Sequence, residues 1–256
     1  LSWTKEEVHA FYGRMRNGQR ITTTQVPVEE FRRVFTKYLA DGQDIVYIAC
    51  SSKQSGSVNT ARVVSEELLK DYPGASVYCV DSLNACLGEG ALAIEAAKLA
   101  ETGIGAEEVF KKVQAMRKRV NEYCTVHSLE FLRRAGRVKG PAAFFGNLMG
   151  VKPIIVADAD GAQAAFKKVK GRQASFREIV ALLKESIVNP EEQTIYLAHA
   201  DCSEEEVEEL KALVKAEIPC KEIFVGYIGP IIGASIGPDA VALIGFGKEV
   251  TFRAAE

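Results

Sequence analysis

The sequence predicts an α/β protein in two parts: a first half on a parallel sheet and a second half with mixed, partly antiparallel pairing. Three observations carry this. Strand-like and helix-like segments alternate at short spacing as far as residue 120, the rhythm of a parallel sheet with helices on both faces. Beyond that point the rhythm changes, and Asp158-Ala159-Asp160-Gly161 between two apolar runs signals a hairpin. The chain has 256 residues, 47% hydrophobic and 26% charged, enough for a sizeable core and one or two domains. The expected domains are therefore 1–120, with the parallel sheet, and 121–256, mixed α/β.

The elements follow in order. Residues 3–15 read as a helix behind a Ser2 or Thr4 cap, with Glu6 and Glu7 in the first turn, where acidic groups are favoured. Thr22-Thr23-Thr24-Gln25 is an extended polar turn. Pro27 opens a helix through residue 38 that sets Phe31, Val34, Phe35 and Tyr38 on one face. Ile45-Val46-Tyr47-Ile48-Ala49-Cys50 is short, apolar and rich in β-branched residues, hence a buried strand. Ala61, Val64, Leu68 and Leu69 recur at helical spacing across 58–72. Residues 75–80 form a strand ending at Asp81, and 90–101 an Ala-rich helix. After the Gly103-Ile104-Gly105 break, 106–120 is the last helix of this half. In the second half strands are expected at 122–126, 152–157, 164–170, 194–199, 222–225 and 241–245, and helices at 129–134, 144–149, 175–188 and 203–217. No internal repeat or low-complexity segment is visible.

Composition narrows the function classes. A formal net charge of −2 argues against a nucleic-acid partner, which would need a clustered basic face. No apolar run approaches about 18 residues, so no integral membrane association is expected. The opening Leu1-Ser2-Trp3-Thr4-Lys5-Glu6-Glu7 lacks the apolar core of a signal peptide, and a chain beginning at Leu1 reads as a fragment or a processed product. Cys50, Cys79, Cys86, Cys124, Cys202 and Cys220 are scattered without a C-x-x-C pair, which fits reduced thiols in a cytoplasmic protein. With only His9, His127 and His199, and no H-E-x-x-H, no metal site and no cofactor are expected.

The most informative stretch is Ser51-Ser52-Lys53-Gln54-Ser55-Gly56-Ser57, between the 45–50 strand and the 58–72 helix. A helix N-terminus leaves backbone N–H groups unpaired and presents a partial positive charge, so carboxylates and phosphates are its natural guests. A lone Ser55 or Ser57 would be read as a simple cap. The run holds more serines than one cap needs.

Several segments together resemble the DegV family of bacterial fatty-acid-binding proteins. Thr23-Thr24-Gln25-Val26-Pro27 resembles its T-S-Q-P turn, and 51–57 its S-S-x-L-S-G-T turn, with a small residue, Ala61, following as the family has it. Residues 129–138 are similar to L-x-Y-L-x-x-G-G-R-[IV], 146–153 to G-x-L-L-x-[IV]-K-P, and 233–238 to G-x-H-x-G-P. Order and spacing agree along nearly the whole chain. Three departures stand out: the family's opening strand with its Asp-Ser turn is absent, Ser235 stands where the family has His, and Asp239 where it has Gly.

The resemblance implies a long-chain fatty acid in a tunnel between two α/β domains. It further implies presentation of that acid to a partner ATP-dependent fatty acid kinase for phosphorylation. The carboxylate would be held by Thr23, Thr24, Ser51, Ser52, Ser55, Gly56 and Ser235, with Ser235 expected beside the Ser51 and Ser52 hydroxyls. Burying an acyl tail contributes about 0.8 kcal/mol per CH₂, so the tunnel would supply affinity and the head group orientation. Arg137 would contact the ligand or the kinase, or else pin its own loop to backbone carbonyls. Arg133 and Arg134 read as a solvated helix face, with kinase docking as the alternative.

No catalytic residue is assigned. No Ser–His–Asp or paired-carboxylate arrangement can be picked out. Gly88-Glu89-Gly90-Ala91-Leu92-Ala93 imitates a dinucleotide loop but lies too far from the strand end at Asp81, and is read as close helix packing. Gly247-Lys248 lacks the rest of a phosphate loop. His199, after an apolar strand, reads as a hydrogen-bonded strand-end residue. The competing reading is a small hydrolase or phosphotransferase that uses the 51–57 turn as an anion cradle.

Overall fold

The computed structural model describes residues 3–141 and 150–254. The alternative Ser2 cap, the helix expected at 144–149 and the first part of the 146–153 segment lie outside the described residues.

Helix α1 (Lys5–Arg16) is opened by Thr4: its hydroxyl accepts from the Glu7 N–H while the Glu7 carboxylate accepts from the Thr4 N–H. Helix α2 (Val28–Ala40) follows Pro27 and buries Phe31, Phe35 and Leu39, while Tyr38 remains 41% exposed. Strand β1 (Ile45–Ala49), helix α3 (Ser57–Leu68) and strand β2 (Val77–Asp81) form a βαβ unit. Its strands pair in parallel, Ile45 opposite Val77 through Ala49 opposite Asp81. Phe31, Phe35, Val58, Ala61 and Val64 close its outer face. Helices α4 (Cys86–Glu101) and α5 (Ala106–Met116) complete this part, α4 starting before the expected Gly90.

The larger sheet is mixed. Strands β3 (Val120–Thr125), β4 (Val138–Lys139), β5 (Val151–Ala157), β6 (Gln163–Lys170), β7 (Thr194–His199), β8 (Glu222–Tyr227) and β9 (Val241–Phe246) lie in the order β4-β6-β5-β3-β9-β7-β8. The expected hairpin joins β5 to β6. Strand β3 pairs antiparallel with β5 and β9, and β7 runs parallel to β8 through the crossover helix α8 (Glu204–Glu217), capped by Ser203.

One face of this sheet is covered by α8 and α7 (Arg172–Ser186), burying Phe176, Ile179, Leu183, Leu197 and Leu210. On the other lie α1, α4, α6 (Leu129–Ala135) and α9 (Pro230–Ile236), with Tyr12, Leu92, Leu132, Tyr196 and Ile228 among their buried residues. Each large apolar side chain so buried is worth about 1.5–3 kcal/mol relative to exposure.

Two arrangements set the stage for the site. Helix α4 packs against β1 of the small sheet and against β3, β7 and β9 of the large one, so it is the layer the sheets share. Helix α1, early in the chain, packs on α9, and its buried Tyr12 hydroxyl donates to the Ile228 carbonyl at 2.7 Å. Arg16, at the end of α1, pairs with Asp201 and Asp239, both at 2.6 Å. Asp239 occupies the left-handed region at φ 62°, which explains why a Gly is at home at that position and why Asp tolerates it.

Candidate ligand cavity

The two hydroxyl-bearing turns meet. The Ser57 N–H donates to Ser55 Oγ at 3.2 Å, and the two hydroxyls lie 2.9 Å apart. Ser57 Oγ in turn accepts from the Val26 N–H at 3.2 Å, and the Gln25 amide donates to Thr60 at 3.3 Å. These bonds stitch the 23–26 turn onto the start of α3. The N-cap residue of α3, Gly56, has no side chain to cap it, and Ser55 and Ser57 are occupied with one another and with that neighbouring segment.

The stitched turns form one wall of a cavity of about 470 Å³. Thr23, Thr24, Ser55 and Gly56 line it, with Arg137 and Ser235 also in its walls. Between them stand Tyr47, Cys50, Glu89 and the isoleucines of α9, Ile231, Ile232 and Ile236. Gln54, Cys86, Ile232 and Ile236 belong both to this cavity and to a smaller inner chamber of about 40 Å³. The chamber is otherwise walled chiefly by apolar side chains, among them Leu132, Val138, Ile155, Ile228 and Ile244. Outward, Thr23, Arg137 and Ser235 are shared with a hollow of about 250 Å³ that adds Arg20 and Arg134. A basic, hydroxyl-rich mouth thus leads to an apolar interior. Other hollows, of about 410 and 540 Å³, hold no residue of either turn.

Ser51 and Ser52 stand outside this cavity. Ser51 is fully buried, its hydroxyl donating to the Gly161 carbonyl at 2.6 Å and accepting from the Lys53 N–H at 3.2 Å. The Ser52 N–H donates to the Asp81 carboxylate at 3.2 Å. Both residues shape the turn, whereas Ser235 sits with Thr23, Thr24 and Ser55 rather than with them. Ser235 lies in the last turn of α9, a helix absent from those expected from sequence.

Arg137 lines the cavity and donates to the Ala135 carbonyl at 2.6 Å, the loop-pinning bond expected of it. Arg134 pairs with Glu130 on the exposed face of α6. His199 ends β7 with Nδ1 accepting from the Cys202 N–H at 3.3 Å, away from the cavity. Gly88 packs against Asn84, where a Cβ would come within 2.7 Å of the side-chain oxygen, so close packing accounts for it.

Two acidic residues inside the site were not singled out from sequence. Glu89 lines the main cavity, and burial pushes its carboxyl up to about 7 against the opposing pull of the Cys50 backbone. Glu122 lines the inner chamber, also pushed up to about 7 by burial, with Gln163 and the Ala85 backbone opposing. Burial likewise pushes the Cys50 and Cys86 thiols up to about 12, which keeps them protonated and poor nucleophiles. Among the described residues no group of His, Cys, Asp and Glu side chains is placed to hold a metal ion, and no helix is long and apolar enough to cross a membrane. Helix α9 had a readable signature: Pro230 in its first turn after Gly229, and Gly237 just past its end.

A small parallel sheet and a large mixed sheet sharing one helical layer, with a polar-mouthed cavity beside it, define a two-sheet α/β cavity protein. The chain belongs to the DegV family, whose family model, described as one of uncharacterised proteins, matches residues 4–248. A DegV domain-containing protein of Clostridium perfringens is 38% identical over 242 residues, covering 94% of this chain and 83% of its own. Among solved structures, a DegV lipid-binding protein of Thermotoga maritima superposes with a TM-score of 0.82 at 27% identity, covering 98% of this chain and 86% of its own. DegV of Bacillus subtilis, described as a fatty acid binding protein, gives 0.79 at 28% identity, covering 93% and 83%.

Proposed function

We propose that this chain binds a long-chain fatty acid, with its carboxylate at Thr23, Thr24, Ser55, Gly56, Arg137 and Ser235 and its tail directed toward the inner chamber. The observation that carries this reading is the continuity of the cavity: Gln54, Cys86, Ile232 and Ile236 are common walls of the hydroxyl-lined space and the apolar chamber behind it. An amphipathic anion satisfies both ends, since hydroxyl and guanidinium donors pair with a carboxylate and the methylenes leave water. Relatives described as lipid-binding and fatty-acid-binding support the assignment.

Ser51 and Ser52 act one step behind the ligand by holding the turn. Residues before 120 supply Thr23, Thr24 and Ser55 to the head group and residues beyond it supply Arg137, Ser235 and most of the inner chamber, and the protein works in the cytoplasm as a non-catalytic carrier. Its cargo is handed to an ATP-dependent fatty acid kinase, with the basic mouth around Arg20, Arg134 and Arg137 as the docking side. The hydrolase or phosphotransferase alternative finds less support, because no imidazole lines the cavity and its thiols are held protonated.

Native mass spectrometry of the chain purified from a bacterial host, followed by titration with a fluorescent fatty acid, tests the assignment. A co-purified long-chain acid and saturable uptake are expected. A bare protein that takes up no acid and turns over phosphoesters would overturn it.

A further inference from the structure

We infer that the inner chamber selects an acyl chain that carries a hydroxyl group part-way along its length. This rests on the fatty-acid reading above and adds a substituent to the ligand.

Strand β3 contributes Glu122 to the chamber wall, where the residue is 8% exposed. Its Oε1 accepts from the Gln163 amide at 3.3 Å and the Ala85 backbone also favours its charged form, while the buried Oε2 has no donor within hydrogen-bond distance among the described residues. Gln54, shared by the main cavity and the chamber, has a buried Nε2 in the same condition. One unmet acceptor and one unmet donor therefore line the same chamber, among aliphatic side chains. Leaving such a group unpaired costs about 1–3 kcal/mol, so a passage for plain methylenes would be better lined by Leu at both positions.

The pair of orphans specifies its guest. A methylene satisfies neither, and a keto oxygen can meet both only while Glu122 is protonated, leaving the ionised carboxylate unpaired. A second carboxylate would face Glu122 as a like charge. A hydroxyl placed between them would donate to Glu122 Oε2 and accept from Gln54 Nε2 through one atom. It also serves either protonation state of Glu122, accepting when the carboxyl is neutral. A single water could occupy the chamber instead, since about 40 Å³ admits one. A chain bearing the hydroxyl at the right carbon would displace it and keep both bonds.

The test is a titration of the whole chain with positional isomers of monohydroxystearic acid, each set against stearic acid. One isomer, or two neighbouring ones, should bind roughly tenfold more tightly than stearic acid. Glu122→Leu and Gln54→Leu should each abolish or invert that preference. If stearic acid binds and every hydroxy isomer binds no better, the inference fails while the fatty-acid reading stands, and the chamber holds water. If no acid binds at all, both fail. The comparison within the wild-type chain decides the matter without either variant.

Discussion

The Ser51 hydroxyl donates to the Gly161 carbonyl at 2.6 Å, joining the turn after β1 to the turn of the β5–β6 hairpin. The approach is close enough that Gly161, at φ 84°, has no room for a Cβ: it would run into Ser51 Oγ and come within 2.9 Å of the Leu83 backbone. This bond ties the small sheet to the large one beside the cavity.

Ser51→Ala should therefore be a stability variant. It leaves the Gly161 carbonyl and the Lys53 N–H without their partner, at a cost of about 1–3 kcal/mol. Urea unfolding should show a lower midpoint at an unchanged slope. Undiminished stability combined with lost fatty-acid affinity would return Ser51 to the ligand.

Thr24→Ala should behave in the opposite way. Thr24 lines the cavity, and removing one charge-assisted donor to a bound carboxylate should cost on the order of 1.5–3 kcal/mol of affinity. Thermal stability of the unliganded protein should hardly change. A titration in which Thr24→Ala matches the wild type would remove the 23–26 turn from the head-group site.

Elements whose cause is local were legible in the sequence. Thr4 and Glu7 carry their own capping box, Ile45–Ala49 its own β-branched pattern, and Asp158 and Gly161 their own hairpin turn. What escaped depends on partners far along the chain. The bond from Ser51 to Gly161 is not legible because folding must first close a 110-residue separation. Strand β4 is only Val138–Lys139 and exists because Val138 meets Gln163 on β6. Glu89 reads as an ordinary polar position on α4, because burial by the elements around the cavity leaves no trace in its immediate neighbours.

Glu89 supplies a pH dependence. Its folded-state pKa is raised from 4.5 to about 7, so it is neutral below that value and charged above it. Tyr47, Cys50 and Cys86 in the cavity wall are pushed up by burial and stay neutral here, while Glu122 of the adjoining inner chamber is also raised to about 7. An ionised Glu89 repels a bound carboxylate. Affinity should be highest below about pH 7 and fall as pH rises through it, by an amount on the order of 1 kcal/mol. Glu89→Gln should make the profile measured by fluorescent-acid titration shallower, leaving the slope contributed by Glu122 of the inner chamber. A profile that falls equally in wild type and Glu89→Gln would place the titrating group elsewhere.

Ser235 allows a second charge to be introduced at the mouth. It lies in the last turn of α9 and shares both the main cavity and the outer hollow with Arg137 and Thr23. An imidazole there is longer than the hydroxyl and titrates near its ordinary value of about 6.5. A bound carboxylate favours the charged ring, so Ser235→His should tighten binding on the acidic side and lose that gain as pH rises through the raised value. Wild-type Glu89 gives a slope of the same sign, and the two effects would be confused in a single variant. The measurement belongs in the Glu89→Gln background, read as the difference from Glu89→Gln alone, which cancels the slope left by Glu122. There, Ser235→His should add a decline in affinity between about pH 6 and 8, with the acidic limit several-fold tighter than in Glu89→Gln alone. A flat difference with unaltered affinity in the double variant would mean that the end of α9 does not reach the head group.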